Sequence, residues 1–276
     1  WLPAPRPACV QAAGTPEARG ACLAPNNYFD AIVALDTTSG AVKWATKALP
    51  YDAWNVNCIP GFGLNPCPEP AGPDYDFGQG PLLFSAKAGN KSRSLVGAGQ
   101  KSGMFWALDR DTGAVVWSTQ VGPGGTMGGL QWGSATDGTR IYAAVNNSLG
   151  IPWTPHGSAA PITGGAWSAI DPATGAIVWQ TAIPASIPGL GAAVGAMTVA
   201  NGVVYGCTFT GTWAAMNAQT GAVLWSRPSP NGEACAAGAS VSRGTVYWGT
   251  GYNQIMFLPV QPSALYAFSV PGANDD

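Results

Sequence analysis

A small set of side chains in this sequence has the chemistry to act on a ligand. Asp74 and Asp76 stand at i and i+2 in G-P-D-Y-D-F-G. On an extended strand such a pair shares one face, and neighbouring carboxylates are the oxygen donors a hard cation takes. A solvated turn after Pro73 is the plainer alternative. Asp52 lies in P-Y-D-A-W. A partly desolvated carboxylate suits general-base work, whereas an ordinary turn Asp caps its own backbone. Hydrolysis of a sugar or polymer needs two carboxylates facing a cleft, and only Asp52 with Asp76, or Glu69 with Asp74, offers that pairing. Lys101 is one of few cations and precedes an apolar strand; Trp132 presents a flat ring able to stack on a planar ligand. His156 is the single imidazole and the six Cys include no C-x-x-C, which excludes a His/Cys zinc site and an attached c-type haem.

These residues are carried on a repeat. From Ala31 the chain reads AIVALDTTSGAVKW, from Met104 MFWALDRDTGAVVW, from Trp167 WSAIDPATGAIVW and from Trp213 WAAMNAQTGAVLW; a degenerate copy, ALYAFSVPG, starts at Ala264. The anchors are Asp36/Gly40/Trp44, Asp109/Gly113/Trp117, Asp171/Gly175/Trp179 and Asn217/Gly221/Trp225. Apolar alternation before the Asp is a half-buried strand. Asp or Asn followed by Gly is a turn, since the side chain can bond its own backbone and Gly accepts positive φ. The second strand ends in a Trp that packs on a neighbouring hairpin. The steps from residue 36 to 109, 109 to 171 and 171 to 217 shorten toward the roughly 40–50 residues of a four-stranded propeller blade. TRIYAAVNN from Thr139, NGVVYGCTF from Asn201 and RGTVYWGTG from Arg243 supply a preceding strand in their blades. The expected fold is therefore all-β, a β-propeller of four-stranded blades. Residues 1–276 form one domain, with Cys-containing loops over 1–27 and 55–76.

Composition agrees. Charged residues are 9 % of the 276, against about 25 % in an ordinary soluble domain. The net charge of −2 excludes a basic nucleic-acid binder and a polybasic membrane-surface protein, and no apolar run reaches the 18 residues of a membrane span. An even number of Cys without metal-binding spacing places the chain in an oxidising, secreted or periplasmic compartment. Sequence order suggests Cys9–Cys22, Cys58–Cys67 and Cys207–Cys235, although six Cys allow 15 connectivities. N-x-S triplets at Asn90 and Asn146 are candidate glycan sites.

The D-x-x-T-G-x-x-x-W phrase resembles the tryptophan-docking repeat of quinoprotein dehydrogenases. YDAWNVNC from Tyr51, GPDYDFGQGPLLF from Gly72 and GAGQKSGMFWALDRDTG from Gly97 resemble their polyvinyl-alcohol-dehydrogenase-like branch. The resemblance runs from Asn26 to Val270. It implies an eight-bladed propeller holding pyrroloquinoline quinone (PQQ) and calcium, of which this chain carries about five blades, the C-terminal part. The missing blades would lie in a second chain or fragment, be cleaved off, or belong to residues outside this sequence. It implies oxidation of a small or polymeric alcohol, with electrons passing to an external acceptor. Asp52 would be the base and, with Asp76, a calcium ligand. Lys101 would contact the quinone oxygens, and Gln131, Trp132 and Asp76 would complete the cofactor site. The Glu and Asn that hold calcium in the family's earlier blades have no counterpart here. That absence favours a rival reading, a non-catalytic extracellular binding or structural propeller on the same scaffold.

Overall fold

The computed structural model describes residues 8–61, 65–88, 91–183, 192–193, 195–251 and 263–269. The chain divides into two compact units. One comprises Trp1–Asp76 with Thr112–Ala114, the other Phe77–Asp111 with Val115–Asp276.

In the N-terminal unit, helices α1 (Ala8–Ala12) and α2 (Pro16–Ala21) occupy the first Cys-containing stretch. Thr15 caps α2 by accepting from the Ala18 N–H, and a Cys9–Cys22 disulfide ties the two together. An antiparallel pair follows, β1 (Ala31–Leu35) and β2 (Val42–Lys47). The Cys58–Cys67 disulfide staples the second stretch.

The C-terminal unit holds four antiparallel sheets in succession. The first contains β3 (Leu82–Ala88), β4 (Lys91–Gly99), β5 (Met104–Asp109) and β6 (Val115–Gln120). The next contains β7 (Ala135–Thr136), β8 (Ile141–Val145), β9 (Gly165–Ile170) and β10 (Ile177–Ile183). Then come β11 (Thr198–Ala200), β12 (Val203–Cys207), β13 (Thr212–Asn217) and β14 (Val223–Pro228). The last sheet has β15 (Ser240–Ser242), β16 (Thr245–Gly249) and β17 (Leu265–Ser269). In each, strands adjacent in sequence are adjacent in space. This is the all-β, blade-built architecture of a partial propeller, and the three disulfides pair as sequence order suggests.

The repeated phrase forms as its chemistry requires. Asp171 Oδ1 accepts from the N–H groups of Ala173 and Thr174 at 2.9 Å each, and Asn217 Oδ1 does the same for Gln219 and Thr220. Asp36 Oδ1 accepts from Thr38 and Ser39, and those bonds hold its carboxyl below the usual range. The Gly of every turn sits at a φ of +72° to +76°. A register irregularity follows in each hairpin, at Ala34/Leu35, Ala107/Leu108, Ile177/Trp179 and Ala215/Met216. Such a bulge re-aims the outer strand's side chains.

The re-aimed Trp lies under the Gly of another turn. A Cβ on Gly175 would come within 2.6 Å of the Trp117 ring, and one on Gly221 within 2.5 Å of the Trp179 ring. Trp117 Nε1 donates to the Pro172 carbonyl and Trp179 Nε1 to the Ala218 carbonyl. A Thr two residues beyond each Trp completes the joint: Thr119 Oγ1 donates to Gly175 O at 2.7 Å and Thr181 Oγ1 to Gly221 O at 2.6 Å. Within the N-terminal unit Thr46 Oγ1 makes the same bond to Gly113 O, at 2.6 Å. The fourth copy differs. Arg227 stands where the Thr would be, and Trp225, 38 % exposed, meets Phe268 edge-on at 5.2 Å.

Between the sheets the core is continuous. Phe84, Leu95, Phe105, Leu130, Ile141 and Ile170 join the first to the second; Tyr142, Trp167, Trp179, Val204 and Met216 join the second to the third. Trp213, Trp248 and the buried Cys207–Cys235 disulfide join the third to the last. Full burial of each large side chain is worth about 1.5–3 kcal/mol. Asn146 is fully buried and its Nδ2 donates to Met127 O, so this candidate glycan site is closed; Asn90 lies outside the described residues.

A further polar knot pins the last sheet. Glu233 is 0 % exposed; its Oε1 accepts from Tyr266 Oη at 2.6 Å and Asn231 Nδ2 at 3.0 Å, its Oε2 from the Asn231 N–H at 3.1 Å. The Tyr266 bond foremost, and then the Asn231 bonds, bring this carboxyl down from 4.5 to about 2. A depressed native value stabilises the fold above the ordinary value and is lost as pH falls through the native one.

Two outcomes follow from these joints. Gly221→Ala adds a clash to a left-handed φ and should cost about 2–5 kcal/mol in urea denaturation. Gly138→Ala, at a φ of +85° but with open space around it, should cost about 1–2 kcal/mol; equal losses would show that the Trp joint contributes nothing. Below pH 4.5 wild-type stability should fall more steeply toward pH 2 than that of Tyr266→Phe, and parallel curves would remove Glu233 from the account.

Candidate functional site

Asp52 and Asp76 belong to the N-terminal unit; Lys101, Gln131 and Trp132 belong to the C-terminal unit.

In the N-terminal unit the Cys-stapled loop folds back onto Asp52. Asp52 Oδ1 accepts from the Trp54 N–H at 2.9 Å and Oδ2 from the Tyr75 N–H at 3.1 Å. Ala53 N–H bonds Ala71 O, and Tyr51 Oη bonds Pro70 O. Gly72 passes so close that a Cβ there would lie 2.5 Å from Asp52 Oδ1, at a φ of +106°. Asp52 thus does what a turn Asp does and, by the same bonds, anchors a distant segment.

The expectation that Asp74 and Asp76 share a strand face fails. No strand forms over these residues, Asp74 has a φ of +61°, and the chain turns so that Asp74 is buried and Asp76 exposed. Asp30 is a carboxylate that sequence reasoning missed. It immediately precedes β1 and is 8 % exposed; its carbonyl accepts from the Ala48 N–H and its Oδ2 has no hydrogen-bond partner. Burial, then the charges of Asp52 and Asp76, a hydrogen bond with Asp76 and the charge of Asp74 raise its carboxyl to about 7. The available signal was an acid abutting the apolar run of the first repeat.

In the C-terminal unit Lys101 occupies the turn between β4 and β5. Gln100 Oε1 locks that turn by accepting from Ser102 Oγ at 2.7 Å and Trp106 Nε1 at 3.1 Å. The glycine-rich segment that carries Gln131 and Trp132 is laced to the same turn. Gly125 N–H donates to Lys101 O at 3.0 Å and Leu130 N–H to Gln100 O at 3.1 Å. Gln131 packs over Gly78, where a Cβ would meet its Cγ at 2.8 Å, and the Trp132 N–H reaches Gly78 O. Trp132 holds a φ of +69°. A bulky residue in that region stores roughly 1–3 kcal/mol of strain, and such residues cluster at ligand sites. The residue is 36 % exposed. These backbone bonds bring the Lys101 turn and the segment carrying Gln131 and Trp132 together at one end of the β3–β6 sheet. His156 is exposed on a loop, its backbone N–H donating to Gln180 Oε1.

The donor set of the N-terminal unit is hard oxygen, the chemistry a calcium-type ion takes, and the bare Asp30 Oδ2 fits such an ion. Among the described residues no three carboxylate, His or Cys groups already stand as a metal cage.

Blade-type sheets joined by Trp-under-Gly contacts define a partial β-propeller of the PQQ-dehydrogenase type. The chain belongs to the PQQ_2 family, described as outer membrane protein assembly factor BamB, which matches residues 99–263. It is 35 % identical over 158 residues to a polyvinylalcohol dehydrogenase of Sphingopyxis sp. (strain 113P3), covering 56 % of this chain and 23 % of that protein. It is 31 % identical over 121 residues to a polyvinylalcohol dehydrogenase of Pseudomonas sp., covering 44 % and 18 %. Each match spans less than a quarter of the relative's length. Among solved structures, the quinohemoprotein alcohol dehydrogenase of Comamonas testosteroni superposes with a TM-score of 0.62 at 20 % identity, over 92 % of this chain and 44 % of that one, a likeness of fold.

If the Trp132 strain serves a ligand, Trp132→Asn should relieve it, since Asn tolerates a left-handed φ. Urea denaturation should find that variant as stable as the wild type or more stable by about 1 kcal/mol. A loss of 2 kcal/mol or more would mark the ring as a packing element.

Proposed function

We propose that this chain is part of a PQQ-dependent alcohol oxidoreductase whose further blades belong to the remainder of a longer protein or to a second chain. The observation that carries this reading is the Lys101 turn laced to the strained Gln131–Trp132 segment. The quinone supplies the electron sink for a hydride from the alcohol. Lys101 places a fixed positive charge where negative charge grows as the alcohol is oxidised, which preorganises the site for that charge. The Trp132 ring covers a flat ligand face, and Gln131 orients the ligand's polar edge. Asp52 takes the hydroxyl proton. Both its oxygens already accept backbone N–H groups, which fix the carboxylate in place, and Asp76 is the further candidate for holding the cation.

The two polyvinylalcohol dehydrogenases support a polymeric secondary alcohol as substrate. Electrons leave to an external acceptor. Three disulfides support a secreted or periplasmic site, and no described helix is long and apolar enough to cross a membrane. A second reading, a non-catalytic binding or structural propeller, draws support from the family's description as an assembly factor and from the turn-capping bonds of Asp52.

Titration of the purified protein with PQQ, followed by tryptophan fluorescence with and without calcium, separates the two. Saturable quenching that Lys101→Ala weakens at least tenfold is expected. Quenching that is absent, or unaltered in Lys101→Ala, would leave the non-catalytic reading standing.

A further inference from the structure

We propose that a cleft between the first two sheets of the C-terminal unit docks the chain of a polymeric secondary alcohol, at a site separate from the Lys101 turn; the class of ligand rests on the oxidoreductase reading. The cleft has a volume of about 530 Å³, the size of a small-molecule site. The first sheet lines it with Gln120 and with Gly122 and Pro123, which follow β6. The second lines it with Ile151, Trp153, Thr154 and His156, on the loop from β8 to β9, and with Ile177 and Gln180 of β10. Gln180 braces it. Its Nε2 donates to Val121 O at 2.8 Å and Ser168 Oγ at 2.9 Å, and its Oε1 accepts from the His156 N–H at 2.7 Å. Trp153 is held by Nε1 donating to Gly164 O at 2.9 Å and by backbone bonds to Ile162. A ring fixed in advance loses little freedom when a ligand covers it. A packing gap between blades would be lined by buried side chains, whereas Gln120, Ile151, Thr154 and His156 are exposed.

The lining selects the occupant. Among the described residues that line the cleft none is Asp, Glu, Lys or Arg, so a charged ligand would give up hydration without gaining a partner. Pro123, Ile151, Trp153 and Ile177 offer apolar surface, and Gln120, Thr154 and His156 offer an amide, a hydroxyl and an imidazole. A polymeric secondary alcohol has the matching pattern, a hydrocarbon backbone with hydroxyls at intervals. Its methylenes leave water against the apolar groups, and its hydroxyls both donate to and accept from the polar ones. A sugar chain presents hydroxyls all round and leaves the two Ile side chains and the Pro unmatched. The cleft also continues toward Lys101. A Cβ on Gly122 would lie 3.3 Å from the Trp153 ring, one on Gly124 2.6 Å from Ser102 O, and one on Gly125 3.2 Å from Leu149 Cγ. Gly125 N–H donates to Lys101 O. A strip without bulky side chains thus runs from the Trp153 ring, past the exposed Leu149, to the Lys101 turn.

The probe is short-chain polyvinyl alcohol, titrated calorimetrically into the purified protein with neither PQQ nor calcium present. Saturable binding is expected, tighter than that of a neutral dextran of matched mass. Ile151→Asp puts a charge on the exposed wall and should weaken binding at least tenfold while circular dichroism shows the fold retained. If that variant fails to fold, Thr154→Asp carries the test with the same expectation. Val178→Asp alters an exposed apolar residue of β10 that does not line the cleft and should bind as the wild type does. Absence of saturable binding, dextran binding as tight, wild-type affinity in the folded cleft variant, or an equal loss in Val178→Asp overturns the proposal. The quinone is absent throughout, so a failed PQQ titration and a failed polymer titration are read separately.

Discussion

The structure depends on an indole ring pressed beneath a glycine. Each Trp at the end of a blade's outer strand needs a flat backbone surface, and only a residue without a Cβ, held at positive φ, can present one at van der Waals distance. The Asp or Asn that opens the turn sets that φ through two N–H bonds. The Thr two residues past the Trp then takes up the glycine carbonyl that the turn leaves free. Hydrophobic burial, backbone conformation and hydrogen bonding thus converge on the same few atoms. This is why a chain with only 9 % charged residues and 38 Gly holds a defined fold.

Much of this was legible before any coordinates. The period of two before each Asp, the Gly at a constant offset and the returning Trp determine a hairpin and its packing partner through local rules. Strands β8, β12 and β16 could be named for the same reason. The Thr46, Thr119 and Thr181 bonds were visible only as letters, because their meaning lies in a carbonyl from another repeat. Arg227 at the fourth position shows that the phrase tolerates loss of that bond when the partner is an aromatic edge, Phe268, and not a glycine turn.

The candidate site was legible in its parts and less so in its geometry. Lys101 and Trp132 stood out by type and Gln131 through the family resemblance alone; backbone bonds link the Lys101 turn to the glycine-rich segment. Asp74 and Asp76 were misjudged because alternation presumes an extended chain, and a single φ of +61° at Asp74 breaks it. Asp30 went unmarked because no other acid lies within five residues of it in the sequence. Its neighbours are supplied by a loop that returns from more than twenty residues away.

The unequal joints bear on how the C-terminal unit comes apart. Its stability is distributed among successive interfaces, each seen mainly by the two sheets that share it. Two of these carry an indole, a glycine and a threonine bond. The one that ends at Trp225 carries ring contacts and a disulfide. Loss of order should therefore begin at the three-stranded sheet and stop at the first fully bonded joint. Reduction of Cys207–Cys235 would leave that boundary to its ring contacts, the Thr198–Ala239 bond and the Glu233–Tyr266 knot.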